Sequence, residues 1–391
     1  MPGSESAGPH DRARVLVVNA GSSSLKLSVI GPDDVVTDRC DVDHWDGRAD
    51  HPELRAYLDR LASRTGPPGP PEAIGHRIVH GGTLFTKPTL IDDRVRTGID
   101  SLTSLAPLHQ PRALAGIVAA TAVFPVVPQV GCFDTAFHAS LPAEASTYAL
   151  PAAWRDEFGL RKFGFHGLSH SYASRRAAEL LGNTDSQQFR VVTCHLGAGS
   201  SLAAVHGGRS VETTMGFTPV DGLVMATRSG SVDPGLIAWL ASQNRVPPAD
   251  LADGLEHRSG LAGLAGLTGG SGDMRAVAAA ADRGEPAARL ALGVHAHRLI
   301  ACVAAMAAAM NGMDALVFTG GIGEHMPAVR AAAAAGLRFL GVAVDPGRNA
   351  SAAGDADISA GGAPVRTLVL TAREDLEIAR SARAGLQPAG G

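Results

Sequence analysis

The chain has 391 residues, with 34 Lys and Arg against 38 Asp and Glu, a formal net charge of −4 and 45% hydrophobic residues. This length exceeds one comfortable hydrophobic core and predicts two domains of about 150–200 residues each. The near-neutral charge argues against a dedicated nucleic-acid binder, which would be strongly basic. Only 4% of the residues are aromatic, which also argues against stacking platforms for bases.

The four cysteines, Cys40, Cys132, Cys194 and Cys302, are widely scattered and form no C-x-x-C pair. This spacing disfavours a structural zinc site and a disulfide framework. Reduced thiols fit better, and they predict a cytoplasmic location.

No signal peptide or membrane-spanning segment is predicted. Residues 1–14 are polar and charged, without the apolar core of a signal peptide. The longest apolar helix candidate, 287–310, is interrupted by Arg289, His295, His297 and Arg298. Its charge-free remainder is far shorter than the ~20 residues that a membrane span needs. We therefore expect a soluble protein that binds neither membranes nor nucleic acid.

In the first half, short apolar runs alternate with turn residues and one helical segment. The predicted strands are 15–18, 25–30, 74–79 and 126–133, the last delivering Asp134. The first two form a hairpin across the small residues 19–24, and 65–71 is a Pro- and Gly-rich loop. Pro111 opens a predicted helix over 112–123, because proline is favoured in the first helical turn.

The second half repeats this arrangement. Strands are predicted at 191–196, 202–206 and 315–319, and an Ala-rich helix begins at Pro286 and ends at Asn311-Gly312. The segment Ala20-Gly21-Ser22-Ser23 is matched by Ala198-Gly199-Ser200-Ser201, each after an apolar strand. The match predicts a structural duplication, and the alternation of strands and helices predicts an α/β fold.

Three turns of small residues follow predicted strands, at 19–24, 197–201 and 320–324. None is a Walker P-loop, but such turns expose backbone N–H groups that can surround a phosphate. A single turn of this kind is more simply explained as an ordinary hairpin. Two matching turns and a third glycine-rich one favour nucleotide binding, with Lys26 supplying positive charge.

Several charged and imidazole side chains are candidates for a site, and the residues alone leave their roles open. Arg77 and Arg228 are either salt-bridged structural groups or ligands of an anion. His109 is interpreted as a core residue, whereas His166, among aromatic residues and glycines, is a site candidate. The spacing of the histidines, including His195 at a strand end, matches no zinc signature.

Two carboxylates have equally open roles. Asp134 follows a buried strand and is an N-cap, a magnesium partner or a general base. Glu374 is either a first-turn helix charge or a magnesium ligand.

Taken together, these motifs resemble the acetate kinase (acetokinase) family, within the larger group that shares the actin, Hsp70 and sugar-kinase core. The resemblance covers about residues 15 to 382. It is carried by nine ordered blocks: 18–26, 75–82, 105–109, 133–138, 163–167, 193–197, 215–219, 227–230 and 318–324.

The resemblance implies a fold and an activity. The fold is α/β, with two duplicated actin-like (ribonuclease H-like) domains, mixed central sheets and an interdomain active-site cleft. An N-terminal domain would comprise 1–136 plus 373–391, and a second domain, 137–372, would bind nucleotide and form a homodimer. The activity is reversible, Mg²⁺-dependent transfer of the ATP γ-phosphoryl group to acetate by in-line attack, giving acetyl phosphate and ADP. Mn²⁺ could replace Mg²⁺.

The resemblance also implies roles for individual residues. Asp134, Arg77, Arg228 and His166 would be catalytic, with His109 and His195 lining the site, and Asn19 and Glu374 would hold the metal. Arg77, Val79, Leu108, Phe165 and Pro219 would bind the acyl substrate. The nucleotide would be bound by Asn19, Lys26, His195, Leu196, Gly197, Ala198, Gly199, Asp273, Met274, Arg275, Gly321, Ile322, Gly323 and His325.

A carboxylate acceptor is already ionised at neutral pH and needs no general base, so the main difficulty is that one anion must attack another. Cations and alignment address that difficulty, which assigns Asp134 to magnesium or alignment rather than to proton removal. Departures from the family pattern are Ala198, His325, Arg373 and Gln110, each where Asn is usual. Nucleotide preference therefore stays open. The alternatives are a propionate-preferring kinase and a non-catalytic nucleotide-dependent switch.

Overall fold

The computed structural model describes residues 12–21, 24–65, 69–243 and 246–386. Ser22 and Ser23 of the first predicted turn, and 66–68 of the predicted loop, lie outside these described residues. The chain divides into two compact units, described separately below. One comprises Met1–Ala139, His166–Tyr172 and Arg373–Gly391, and the other Ser140–Phe165 and Ala173–Ala372. The domain boundaries predicted at 136/137 and 372/373 stay a prediction.

The described residues form twelve strands and fifteen α-helices. The strands are β1 (Val15–Ala20), β2 (Ser24–Ile30), β3 (Val36–Asp43), β4 (Ala73–Ile78), β5 (Thr89–Leu90), β6 (Gln129–Phe133), β7 (Arg190–Leu196), β8 (Ser200–His206), β9 (Arg209–Thr213), β10 (Ala315–Thr319), β11 (Ala356–Asp357) and β12 (Arg366–Val369). The helices are α1 (Pro52–Ala62), α2 (Asp93–Ser101), α3 (Gln110–Val123), α4 (Ala143–Ser146), α5 (Ala152–Phe158), α6 (Gly167–Leu180), α7 (Pro234–Ser242), α8 (Pro248–His257), α9 (Gly260–Ala265), α10 (Met274–Asp282), α11 (Pro286–Ala309), α12 (Gly320–His325), α13 (Pro327–Gly336), α14 (Pro346–Ser351) and α15 (Glu374–Gly385).

The first unit contains a six-stranded sheet in the order β3-β2-β1-β4-β6-β5. β1, β4 and β6 are parallel neighbours, while β2 and β3 extend one edge antiparallel and β5 the other. Alternate residues of β1 point to opposite faces, and both faces are covered. Leu16 and Val18 pack with α1 and α3, whereas Val15 and Val17 pack with α15. A strand buried on both sides is continuously apolar, which is why β1 could be predicted.

The predicted hairpin, the strand at 74–79 and the helix after Pro111 are confirmed. The prediction of a strand from 126 is wrong in its start, because β6 begins at Gln129. Val126 is 90% exposed, and Pro128 has no N–H to donate to a neighbouring strand.

The second unit contains a six-stranded sheet in the order β11-β12-β10-β7-β8-β9. Read from β9 to β11, this order is equivalent to that of the first sheet. β7, β10 and β12 are parallel neighbours, and β8 and β9 extend the sheet antiparallel, as β2 and β3 do in the first unit. The predicted duplication and the strands at 191–196, 202–206 and 315–319 are therefore confirmed. The turn predicted at 320–324 is wrong, because the glycines begin helix α12.

The central helix of this unit is α11, whose buried side chains include Ala291, Leu299 and Val303. It begins with Pro286 in its first turn, and Asn311 and Gly312, both with positive φ, follow its end as predicted. Among the described residues, α11 is long and apolar enough by length and composition to cross a membrane. Its buried face packs against the sheet and against α9 and α10, as expected for a core helix.

Candidate active site

Three polar side chains meet at the carboxyl ends of the three parallel strands of the first unit. Asn19 lies near the end of β1, Arg77 near the end of β4, and Asp134 directly after β6. The register pairs Arg77 with Cys132, and the Asp134 N–H donates to the Ile78 carbonyl at 2.9 Å. Parallel pairing therefore brings together residues more than fifty positions apart in the chain.

Arg77 and Asp134 form a buried ion pair. Nε and Nη2 of Arg77 donate to Oδ2 of Asp134 at 3.0 and 2.7 Å, and Nη1 donates to Oδ1 of Asn19 at 3.2 Å. The Arg77 side chain is 15% exposed and that of Asp134 only 1%. Burial alone would lower the pKa of Arg77, but the charges of Asp134 and Glu374 raise it above its ordinary value. The guanidinium is thus firmly cationic.

Glu374 joins this group from the first turn of α15. Its Oε2 accepts an N–H from Nδ2 of Asn19 at 3.2 Å, a contact between residues 355 positions apart. Burial raises the pKa of Asp134, and the negative charge of Glu374 raises it further, against the opposing effect of Arg77. Asn19 therefore lies between a cation and a carboxylate.

The donor set at Asn19, Asp134 and Glu374 fits a hard divalent cation. Oδ1 of Asp134 is buried and has no hydrogen-bond partner among the described residues. The Leu168 N–H lowers the pKa of this carboxyl group but does not meet hydrogen-bond geometry with Oδ1. The described residues contain no group of three or more His, Cys, Asp or Glu side chains suited to a metal. Mg²⁺ commonly needs only one or two carboxylates beside water and phosphate oxygens, so this set suits it.

Helix α6 begins directly against Asp134. The Gly167 N–H donates to the Asp134 carbonyl at 3.0 Å, and a Cβ on Gly167 would lie 2.0 Å from that oxygen. Only glycine fits such an approach. His166, the preceding residue, has φ +55°, a strained left-handed conformation for a non-glycine residue. The tight packing of α6 on Asp134 thereby holds His166 in an unusual backbone conformation.

The remaining site residues predicted in the first unit lie in varied environments. Lys26 is exposed on β2, opposite Asn19 in the hairpin register. Val79 is 8% exposed, whereas Leu108 is 51% exposed. His109, interpreted as a core residue, is partly buried directly before α3.

The second unit contains a glycine-lined cavity of about 280 Å³. Eight residues predicted to bind nucleotide line it: Gly197, Ala198, Asp273, Met274, Arg275, Gly321, Ile322 and His325. His195, Leu196, Gly199 and Gly323 do not line it. Leu196 and Gly323 are buried, and a Cβ on Gly323 would meet Phe318.

The sequence prediction missed Ala226, Gly272 and Met326, which also line this cavity. A Cβ on Gly272 would lie 2.0 Å from the Ala226 carbonyl oxygen, so these two backbones form one close-packed wall. The position of Gly272 directly before Asp273 was the available signal. Asp273 itself caps α10, accepting the Arg275 and Ala276 N–H groups at 2.9 and 3.1 Å.

Arg228 is a partly buried cation whose hydrogen bond goes to a backbone carbonyl. Its Nη1 donates to the Pro219 carbonyl at 3.4 Å, and in the described part of the chain no carboxylate lies within ion-pair distance of it. Burial lowers the pKa of its guanidinium, and the more distant Glu256 opposes this only in part. A charge that is partly shielded from water gains from a counter-ion, so Arg228 is suited to binding an anion. Phe165, predicted with Pro219 in the acyl pocket, is buried in the same unit.

Two sheets of equivalent strand order, one ending in an arginine–carboxylate–amide group and the other beside a glycine-lined cavity, define a duplicated actin-like α/β protein. The chain belongs to the acetokinase family, whose model matches residues 71–380. It is 46% identical over 395 residues to the acetate kinase of Clavibacter michiganensis subsp. michiganensis, covering 95% of this chain and 98% of that one.

Solved structures show the same similarity over nearly the whole chain. The Porphyromonas gingivalis acetate kinase matches with a TM-score of 0.85 at 32% identity, covering 96% of this chain and 100% of that one. A propionate kinase from Francisella tularensis matches with a TM-score of 0.85 at 34% identity, covering 95% and 99%. The duplicated α/β fold predicted from the sequence is confirmed.

Proposed function

We propose that the protein catalyses the reversible transfer of the ATP γ-phosphoryl group to acetate, giving acetyl phosphate and ADP. The observation that carries this proposal is the partly buried Arg228 guanidinium, which has no carboxylate partner among the described residues and lies in the unit that holds the glycine-lined cavity. Membership of the acetokinase family and the names of its relatives support the same reaction.

The reaction needs charge screening more than proton transfer. A carboxylate oxygen of acetate attacks the γ-phosphorus in line, the bond from that phosphorus to the β-γ bridging oxygen breaks, and its electron pair leaves with ADP. Arg77 would orient the acetate carboxylate, while Arg228 and His166 would stabilise charge on the phosphoryl oxygens. Catalysis of this kind is mostly alignment and electrostatic stabilisation. Asp134 would hold Arg77 in place, because its Oδ2 already accepts two guanidinium N–H groups.

Asn19, Asp134 and Glu374 would hold Mg²⁺, or Mn²⁺, which also prefers oxygen ligands. When bound, the ion supplies positive charge that neutralises the phosphate oxygens of the nucleotide. The strongest support for this assignment is Oδ1 of Asp134, which accepts no hydrogen bond from the described residues. No general base is required, since acetate is ionised at neutral pH.

ATP would occupy the cavity of the second unit, between the Gly272–Arg275 segment and α12. Lys26, His195, Leu196, Gly199 and Gly323 do not line this cavity, and their predicted nucleotide contacts remain part of the proposal only as expectations from the family. Ala198 presents only a methyl group where Asn is usual in the family, so we expect weaker polar contact with phosphate there.

Acetate is proposed as the preferred acid, with propionate as the alternative. The similar propionate kinase of Francisella tularensis keeps that alternative open. One methylene changes binding in an apolar pocket by only about 1–3 kcal/mol. The pocket residues would be Val79, Leu108, Phe165 and Pro219, and the ratio of kcat/KM for the two acids decides between them.

We also propose a cytoplasmic homodimer formed through α7. None of the residues of this apolar helix is buried, and Leu236 and Trp239 are 46% and 57% exposed. Exposed apolar surface of this kind is typical of subunit interfaces. Trp239→Asp should give a monomer in sedimentation velocity, and a wild-type monomer at micromolar concentration would contradict the proposal.

The activity is tested by trapping the product with hydroxylamine, which converts an acyl phosphate into a coloured hydroxamate. With ATP, Mg²⁺ and acetate we expect hydroxamate formation, lost in Arg228→Ala and absent without acetate. No hydroxamate with acetate, propionate or butyrate would overturn the proposal. ATP hydrolysis that is independent of any acid and unchanged in Arg77→Ala would instead support a nucleotide-dependent switch.

A further inference from the structure

Helix α12, which lines the nucleotide cavity, is fixed at its C-terminal end by a buried arginine. Arg330 is 1% exposed, and its Nη1 donates to the Gly323 and Glu324 carbonyls, both at 2.8 Å. Its Nε and Nη2 donate to Asn349 at 2.7 and 2.6 Å. A helix of six residues is too short to be stable in isolation, so these bonds hold its last turn in place.

The side chain of Glu324 fixes the other end of α12. Its Oε1 accepts the Gly320 N–H at 3.1 Å. Gly320 has φ +78°, and a Cβ there would lie 2.7 Å from the Leu196 carbonyl oxygen. The first turn of α12 thus packs backbone to backbone on the end of β7, with the Glu324 carboxylate closing it.

The same carboxylate oxygen reaches a distant segment of the chain. Oε1 of Glu324 also accepts the Ala372 N–H at 3.0 Å. Ala372 is the last residue of the second unit, and Glu374 follows two positions later. One oxygen atom therefore contacts both the cavity helix and the segment that leads to the metal-site carboxylate.

The residues before Ala372 are anchored independently of α12. The Leu370 N–H donates to the Phe318 carbonyl at 2.9 Å, and the Thr371 N–H donates to Oδ1 of Asp355 at 3.1 Å. Among the N–H groups of Leu370, Thr371 and Ala372, only that of Ala372 donates to a residue of α12. Asp355 therefore provides a matched position that holds the same segment without touching α12.

We propose that Glu324 is a positioning residue that couples the nucleotide cavity to Glu374. The inference rests on the proposed function, because it assumes nucleotide in the cavity and a divalent cation at Glu374. When α12 is held by bound nucleotide, the shared oxygen holds Ala372 and hence the start of α15. A carboxylate is a strong acceptor for two N–H groups, and a glutamine Oε1 in the same place keeps the acceptor without the charge.

Hydrogen exchange read by mass spectrometry tests the coupling without turnover. With ADP and EDTA, so that no metal bridges the sites, exchange should slow in peptides covering 320–324 and also in those covering 370–373. In Glu324→Ala, ADP should still slow exchange in 320–324 but no longer in 370–373. In Glu324→Gln, ADP should slow exchange in both segments. Protection of 320–324 alone in the wild type would overturn the coupling. Protection of neither segment would overturn the nucleotide site itself, and the inference with it.

Kinetics supplies a second test that separates positioning from stability. Glu324→Ala should raise both the KM for ATP and the half-saturating Mg²⁺ concentration about tenfold, as expected for a lost charged hydrogen bond. Glu324→Gln should keep both constants within about threefold of wild type. Asp355→Ala, which loosens the same segment without touching α12, should leave the KM for ATP unchanged. A rise in the KM for ATP without a rise in the half-saturating Mg²⁺ concentration in Glu324→Ala would overturn the coupling.

If Glu324→Ala does not fold, the hydrogen-exchange experiment on the wild type decides whether the coupling exists. A wild type without hydroxamate formation would instead contradict the proposed function.

Discussion

The Arg77 guanidinium donates two N–H groups to one oxygen of Asp134, and the other oxygen is buried without a hydrogen bond from the described residues. A simple structural salt bridge would satisfy both oxygens. The third guanidinium nitrogen, Nη1, donates to Asn19, whose amide N–H groups face Glu374. The group therefore combines an oriented cation with a carboxylate whose second oxygen is not satisfied by a hydrogen bond from the described residues.

Replacing Arg77 by Lys should lower kcat/KM for acetate by about 100-fold or more, because one ammonium cannot reproduce the fork that binds Asp134 and Asn19. Steady-state kinetics with acetate as the varied substrate measures the effect. Arg96→Lys is the control, since Arg96 is an exposed partner of Asp93 in the same unit. An Arg77→Lys enzyme within about fivefold of wild type would show that the fork is not needed.

Asp134→Asn should raise the half-saturating Mg²⁺ concentration at least about tenfold, because it removes the negative charge from a proposed metal ligand whose Oδ1 has no hydrogen bond from the described residues. The pH dependence of kcat/KM above pH ~5 should keep its shape, since acetate is already ionised there. Asp93→Asn, at a side chain that is 95% exposed, is the matched control. Unchanged Mg²⁺ dependence would exclude Asp134 as a ligand. Loss of the acid limb of the pH profile, where a general base becomes protonated, would identify it as a base.

The variants His166→Gly and His166→Ala should differ from each other in stability, but both should lose activity to the same extent. Glycine accepts the φ of +55° without strain, so the Gly variant should be about 1 kcal/mol more stable than the Ala variant in urea unfolding. Both should lose about 100-fold in kcat if the imidazole stabilises the transferring phosphoryl group. Near-normal turnover in His166→Gly would mean that the imidazole is dispensable.

Two neighbouring glycines should respond to substitution in opposite ways. Gly321 lines the cavity and has no described atom within 4 Å of an added Cβ, so Gly321→Leu should fold normally and raise the KM for ATP about tenfold or more. Gly320→Ala should lower the thermal midpoint, because its Cβ would meet the Leu196 carbonyl at 2.7 Å. Equal stability loss in both variants would contradict the geometry of α12.

Acid should destabilise the protein through buried histidines. Burial lowers the pKa of His295 to about 4. Between pH 6.5 and about 4 the imidazole therefore stays neutral in the folded state, whereas in the unfolded chain it binds a proton. This contribution is present above pH 6.5 and is lost as pH falls to about 4, amounting to roughly 3 kcal/mol. Urea unfolding of His295→Gln should show a shallower pH dependence, and His297→Gln, on the exposed side of α11, should not. Equal slopes in the two variants would contradict the assignment.

Much of the fold was predictable from local pattern. The apolar runs of β1, β7 and β10 are buried on both faces, so their continuous hydrophobicity marks them in the sequence. Proline in the first turn correctly indicated the starts of α3 and α11. The glycines at 320–323 were misread as a turn, because the bond from Gly320 to the Glu324 carboxylate that closes the helix is invisible in composition.

The candidate site was predictable only as a set of residue types. Ala226 and Gly272 escaped prediction because they contribute backbone to the cavity, and side-chain chemistry carries no signal of that. It also could not be predicted that Arg77 forms an ion pair with Asp134 whereas Arg228 donates to the Pro219 carbonyl. Whether an arginine meets a carboxylate depends on which strands lie side by side.

By itself, the sequence determined seven of the twelve strands and the duplication, and it supplied the cations, carboxylates and glycines from which a site could be built. Only the tertiary structure decided that Asn19 contacts Glu374 across 355 positions, and that Arg228 is partly buried with no acid within ion-pair distance in the part of the chain that the structure describes. The physical reason is that short-range preferences are set by neighbouring residues, whereas charge pairing and burial are set by parallel strands and packed helices that join remote parts of the chain.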